Sequence, residues 1–153
     1  SKNHHFYNGT ADDLKHFTFT AGNGSDVYMT AGDNTPVMNF TGNVIVNSGN
    51  MRGNSAGQNI TVGGDFTLAA SSDATFSGLT GTHSFGSVTI GANATFSATS
   101  GTTTITGTTN AAYAWIPTGT FTHNKGKVKF LTESTDMEMW ITSGSKFYDV
   151  EID

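Results

Sequence analysis

The sequence contains no cysteine, so neither a disulfide nor a thiolate metal site is open to it. Charge is also scarce: Asp, Glu, Lys and Arg together make up 12% of the 153 residues, with a net charge of −5. Seven Lys plus Arg, of which only Lys125, Lys127 and Lys129 cluster, give no basic footprint for nucleic acid. No apolar run approaches the roughly 18 residues of a membrane span, and the start carries no basic-then-apolar leader pattern, so membrane insertion is not expected. Leucine occurs only at Leu14, Leu68, Leu79 and Leu131, and no window holds an i, i+3, i+4, i+7 apolar stripe; almost no helix is expected.

Thr, Ser, Asn and 19 glycines dominate instead, and 11 Phe, 4 Tyr and 2 Trp are spread along the chain. Little charge with many aromatics is the opposite of a disordered composition, and the length suits a single domain over residues 1–153. Thr, Val, Ile and Phe fit pleated, half-buried surfaces, while Gly, Asn, Asp and Ser supply corners, so the composition predicts many short strands.

Such strands are legible as short alternating runs: Phe17-Thr18-Phe19, Val27-Tyr28-Met29, Val44-Ile45-Val46, Ile60-Thr61-Val62, Phe66-Thr67-Leu68, Val88-Thr89-Ile90, Val128-Lys129-Phe130 and Val150-Glu151-Ile152. Between them, Ala21-Gly22-Asn23-Gly24, Asn47-Ser48-Gly49-Asn50, Gly63-Gly64-Asp65, Gly91-Ala92-Asn93 and Asn124-Lys125-Gly126 offer backbone suited to positive φ. A loose unit recurs, with Phe85-Gly86-Ser87-Val88-Thr89-Ile90 matched by Phe147-Tyr148-Asp149-Val150-Glu151-Ile152 and, more slackly, by Phe40 with Val44-Ile45-Val46. A second match sets Val62-Gly63-Gly64-Asp65-Phe66 against Ile90 to Phe96.

Irregular repeats of this kind predict an all-β fold, a parallel β-solenoid whose coils stack on a shared apolar ladder while corners absorb insertions. Phe85 and Phe147 are then expected at equivalent places in two coils, and Thr on the outward face, as in Thr102 to Thr106. An antiparallel β-sandwich or jelly roll is the alternative that the same strand lengths allow.

The stretch from Thr118 to Phe130, Thr-Gly-Thr-Phe-Thr-His-Asn-Lys-Gly-Lys-Val-Lys-Phe, followed by Ser145 to Ile152, resembles the degenerate repeat of parallel β-helix proteins from bacteriophage virions and bacterial surface adhesins. The similarity is clearest over residues 85–153; Val150 stands where that repeat usually has Leu, and Met137-Glu138-Met139-Trp140 departs from it. The resemblance implies a parallel β-helix with a structural or adhesive role, and it brings no catalytic residue.

Reaction chemistry finds little foothold. Asp136 and Glu138 would share one face of an extended strand, as a carboxylate pair acting on polysaccharide requires, while Asp12 and Asp13 would not. Surface acids are the ordinary reading of these and of Glu133. His4, His5 and His16 have no further ligand at a recognisable spacing, so no metal and no cofactor is expected. His83 and His123 read as turn-facing. The N-x-[ST] sites at Asn8, Asn23, Asn39, Asn59 and Asn93 are what an Asn- and Thr-rich chain produces by chance.

Tyr113 and Trp115, in the least repeat-like segment and next to Pro117, are expected to leave the regular wall, either as exposed aromatic contacts for a sugar or a protein or, the more ordinary reading of large aromatics, with Trp115 and Trp140 capping the end of the core. The final run, with Phe147, Tyr148, Val150 and Ile152, reads as an uncapped strand and hence as an assembly edge. The expectation is a non-enzymatic, oligomeric structural protein of a virion, a capsid decoration or fibre-type subunit, partnered by other protein subunits. Its short chain and Ser1, which follows no leader, favour that reading. A module of a surface adhesin or surface layer at the bacterial exterior, and a carbohydrate-binding module, are the alternatives.

Overall fold

The structure, a computed structural model, describes residues 4–8, 14–21, 24–31, 37–53, 57–71, 73–107, 113–131, 137–142 and 145–153. Its strands in chain order are β1 (His4–Asn8), β2 (Phe17–Thr20), β3 (Asp26–Ala31), β4 (Val37–Phe40), β5 (Val44–Gly53), β6 (Asn59–Leu68) and β7 (Ala74–Ser77). There follow β8 (His83–Ile90), β9 (Thr95–Ser97), β10 (Thr102–Ile105), β11 (Trp115–Pro117), β12 (Thr120–Thr122), β13 (Lys127–Phe130) and β14 (Asp149–Ile152). Every pairing between them is parallel, and no helix occurs among the described residues.

These pairings sort the strands onto three faces. The first carries β4, the start of β6, the start of β8, β10, β13 and β14. The second carries β2, the start of β5 and the ends of β6 and β8, with β11 above them. The third carries β1, β3, the end of β5, β7, β9 and β12. The chain is therefore a parallel β-solenoid of about 5 turns. An antiparallel sandwich is excluded by the strand directions. Successive rungs lie as close as 20 residues apart, from Phe76 to Phe96, and as far as 28, from Thr20 to Ser48, because insertions sit at corners and, between Phe19 and Thr20, at a shift in register.

The core follows from strand alternation, since every second side chain points inward and meets its counterpart one coil away. The first face contributes the column Phe40, Val62, Phe85, Ile105, Phe130 and Ile152. On the second face Phe17, Val44, Phe66, Val88 and Trp115 stack, with Met139 bridged onto Trp115. On the third, Val27, Met51, Phe76, Phe96 and Phe121 align. Burial of each such aromatic contributes on the order of 1.5–3 kcal/mol. The rings also interlock, with Phe76 and Phe96 4.8 Å apart and Phe66 4.9 Å from Phe85.

Corners use two devices. Asn93, at φ 69°, takes the left-handed turn between the second and third faces of its coil, as an asparagine readily does. Gly64 instead serves close approach: a Cβ there would lie 2.8 Å from the carbonyl carbon of Gly42 in the coil below. Its own N–H donates to that residue's oxygen at 3.1 Å.

Four expectations are corrected. Phe85 and Phe147 both face the core but are not equivalent: Phe85 belongs to the first-face column, whereas Phe147 lies outside any strand and packs across the end of the core against Phe121 at 5.2 Å, Trp115 at 5.6 Å and Phe130 at 6.2 Å. The residue in register with Phe85, through Ile105 and Phe130, is Ile152. The second sequence match pairs unlike corners as well, since Val62 to Phe66 turns from the first face to the second and Ile90 to Phe96 from the second to the third. Thr103, inside the supposedly outward threonine run, points inward and is fully buried; Thr102 and Thr104 face outward. His83 is not in a turn but inside the wall, 1% exposed, with Nδ1 accepting from the Ile60 N–H (3.1 Å) and Nε2 donating to the Gly78 carbonyl (2.7 Å).

Candidate functional site

The last described coil leaves apolar side chains uncovered whose counterparts in the coil beneath are buried. Val128 and Phe130 are each 1% exposed, whereas Val150 and Ile152, directly above them in the same columns, are 44% and 63% exposed. Tyr148, 65% exposed, stacks on His123 at 5.6 Å, and Trp140 and Ile141 lie open on the second face of this end. Phe147 is half-buried against Trp115, Phe121 and Phe130.

Strand β14 closes the sheet: it pairs with β13 and, among the described residues, with nothing on its other side. The Asp153 N–H donates back to the Phe130 carbonyl at 3.0 Å. In a parallel ladder residues alternate in the side to which they present both N–H and C=O, so Val150 and Ile152 offer theirs to the open edge.

The outward face of this edge is charged in layers. Thr102 and Thr104 stand under Lys127 and Lys129, which stand under Asp149 and Glu151. Lys127 Nζ lies 2.6 Å from Glu151 Oε2 and 3.9 Å from Asp149, and Lys129 Nζ lies 2.8 Å from Glu151 Oε1 and 2.7 Å from Asp153. Hydrogen bonds from Lys127 and then Lys129 hold the Glu151 carboxyl down to about 2. The hydrogen bond to Glu151 raises Lys127, and those to Asp153 and Glu151 raise Lys129. The signal for this lattice was in the sequence, as Lys-x-Lys in one strand and Asp-x-Glu-x-Asp in the other at the same outward parity, but it is readable only once β13 and β14 are known to be neighbours.

Trp115 is not an exposed contact. It is fully buried in β11, with Phe121 5.1 Å and Phe96 6.1 Å from its ring, and its indole N–H has no acceptor among the described residues. Pro117 stays in the wall beside Ile90 because Trp115 and Pro117 turn their backbone groups away from β8, their carbonyls accepting from the Trp140 N–H (2.9 Å) and the Thr142 hydroxyl (3.0 Å), so the missing N–H costs the ladder with β8 nothing. Tyr113 is 36% exposed and lies 6.1 Å from Trp140, the aromatic partner that the sequence reading did not supply.

No family model, curated protein or solved structure matches the chain.

Of the carboxylates considered for catalysis, Glu138 is exposed, and Asp12, Asp13, Glu133 and Asp136 lie outside the described residues. His4 and His5 are exposed on β1, while His16 Nδ1 accepts the Asn43 N–H at 3.0 Å. Among the described residues no three His, Cys, Asp or Glu side chains group as a metal site would need. Asn59 uses its side chain to accept the Thr82 N–H at 2.7 Å, which is a structural task.

Proposed function

We propose that this chain is a non-enzymatic structural protein that works by joining further protein at the open edge of its last coil. The observation that carries this reading is the contrast between Phe130 and Ile152, two members of one inward column of which only the lower is covered. Exposed apolar side chains beside a strand edge with free hydrogen-bonding groups form an interaction surface that folded proteins otherwise cover or blunt.

The setting we propose is a bacteriophage virion, with the chain as a capsid decoration or fibre-type subunit, in keeping with the resemblance of residues 118–152 to virion and adhesin β-helices. A module of a bacterial surface adhesin is the second reading, favoured by the uniform parallel ladder, which further coils of one polypeptide extend without change of architecture. The mass of the native polypeptide, together with the particle or cell fraction that contains it, separates the two. A virion subunit is recovered from purified particles, and an adhesin module from the exterior of the cell as part of a much larger chain.

Assembly itself is tested by sedimentation of the 153-residue chain at micromolar concentration, with and without residues 147–153. The reading expects association that the deletion abolishes. A folded monomer, unchanged by the deletion, overturns it.

A further inference from the structure

The charge layers on the first face specify what the open edge accepts. Resting on the assembly reading above, we propose that β14 binds a parallel strand alternating lysine or arginine with large apolar residues, placed in the register that β13 occupies on its other side.

Three observations converge. First, the edge is a strand with its inward side chains uncovered: Val150 and Ile152 need apolar residues above them as Val128 and Phe130 lie below. Second, Val150 and Ile152 present their backbone groups to the open side, which a parallel strand satisfies in the same way that β14 satisfies β13. Third, the outward groups are three carboxylates, Asp149, Glu151 and Asp153, against two ammonium groups, those of Lys127 and Lys129. Among the described residues Asp149 has only Lys127 as an ion-pair partner, at 3.9 Å, and a carboxylate accepts about four hydrogen bonds, so the row has capacity for a second layer of cations.

Charge also argues against the simplest alternative, two copies paired through their β14 edges. That contact sets Asp149, Glu151 and Asp153 of one copy beside the same carboxylates of the other, and like charges directly opposed across a ladder are destabilising. A lysine-bearing strand reverses the sign of every such contact. The sequence already holds one strand of this type, Lys127-Val128-Lys129-Phe130.

The experiment uses the full 153-residue chain and a fluorescent peptide of residues 122–131, read by anisotropy and by amide hydrogen exchange at single residues. Binding is expected to slow exchange at the Val150 and Ile152 amides. A peptide with Glu in place of Lys127 and Lys129 is expected to bind at least tenfold more weakly, and Glu151→Lys in the protein to reverse that preference. Equal affinity for the two peptides overturns the proposal. So does protection of Val150 and Ile152 in the protein alone that the lysine peptide neither extends nor displaces, which assigns the edge to a second copy paired through β14. Assembly lost on deletion of residues 147–153 but indifferent to peptide charge overturns this inference alone; a monomer that still binds the lysine peptide selectively overturns the assembly reading alone.

Discussion

Ile152 stands directly above Phe130 in one inward column, yet Phe130 is 1% exposed and Ile152 63%. The chemistry of the two positions is the same, and what differs is whether a coil lies above.

Within the column system, inward and outward neighbours should respond very differently to charge. Val88→Asp or Ile90→Asp places an unpaired carboxylate at a fully buried site and is expected to abolish folding, since several kcal/mol are lost from a total of about 5–15 kcal/mol. Thr89→Asp, on the outer face, is expected to cost about 0.5 kcal/mol or less. Circular dichroism melting of the three variants checks this; equal losses contradict the assignment of faces.

The two phenylalanines that the sequence made look alike should separate on truncation. Phe85→Ala, in the fully buried column, is expected to cost about 3–5 kcal/mol. Phe147→Ala, half-buried near the open end, should fall well below that range. Urea denaturation of both variants measures the gap, and a larger loss at Phe147 is the contrary result.

Burial pushes the His83 imidazole below its ordinary value of 6.5, against a smaller opposing effect of its bond to Gly78. The unfolded chain therefore takes up a proton at a pH where the folded chain does not, so this contribution is complete above about pH 6.5 and diminishes as pH falls toward the depressed folded value. The urea midpoint should drop between pH 7.5 and 5, and His83→Phe should be less stable at pH 7.5 but show a smaller drop. An identical drop in both proteins assigns the acid sensitivity elsewhere.

Glu151 has the opposite chemistry and the same direction. Its carboxyl, held at about 2 against an ordinary 4.5, stabilises the pairing of β13 with β14 above pH 4.5, and that support is lost as pH falls toward 2. Exchange protection at the Glu151 and Asp153 amides should fade across this window and weaken at high salt. Glu151→Gln should lower protection at neutral pH and flatten the acid response.

Strand existence was legible because it depends on local alternation: each of the eight runs from Phe17-Thr18-Phe19 to Val150-Glu151-Ile152 lies in a strand. Which coil position each run occupies was not, because register depends on corner lengths that vary. Matching Val88-Thr89-Ile90 to Val150-Glu151-Ile152 set a second-face strand against a first-face one. The segment of Trp115 is a related case: proline suggests an end to the ladder, yet β11 stays in the wall with Trp115 buried, the more ordinary of its two readings, because Pro117 turns its missing N–H away from β8. The edge residues Tyr148, Val150 and Ile152 were legible as an uncapped strand, but the Lys and Asp/Glu layers beside them emerge only when strands distant in sequence are set side by side.

All strands of the solenoid run the same way, which gives the molecule a direction. Its two ends are therefore different surfaces, and a contact that fits one of them cannot be made in the same way at the other.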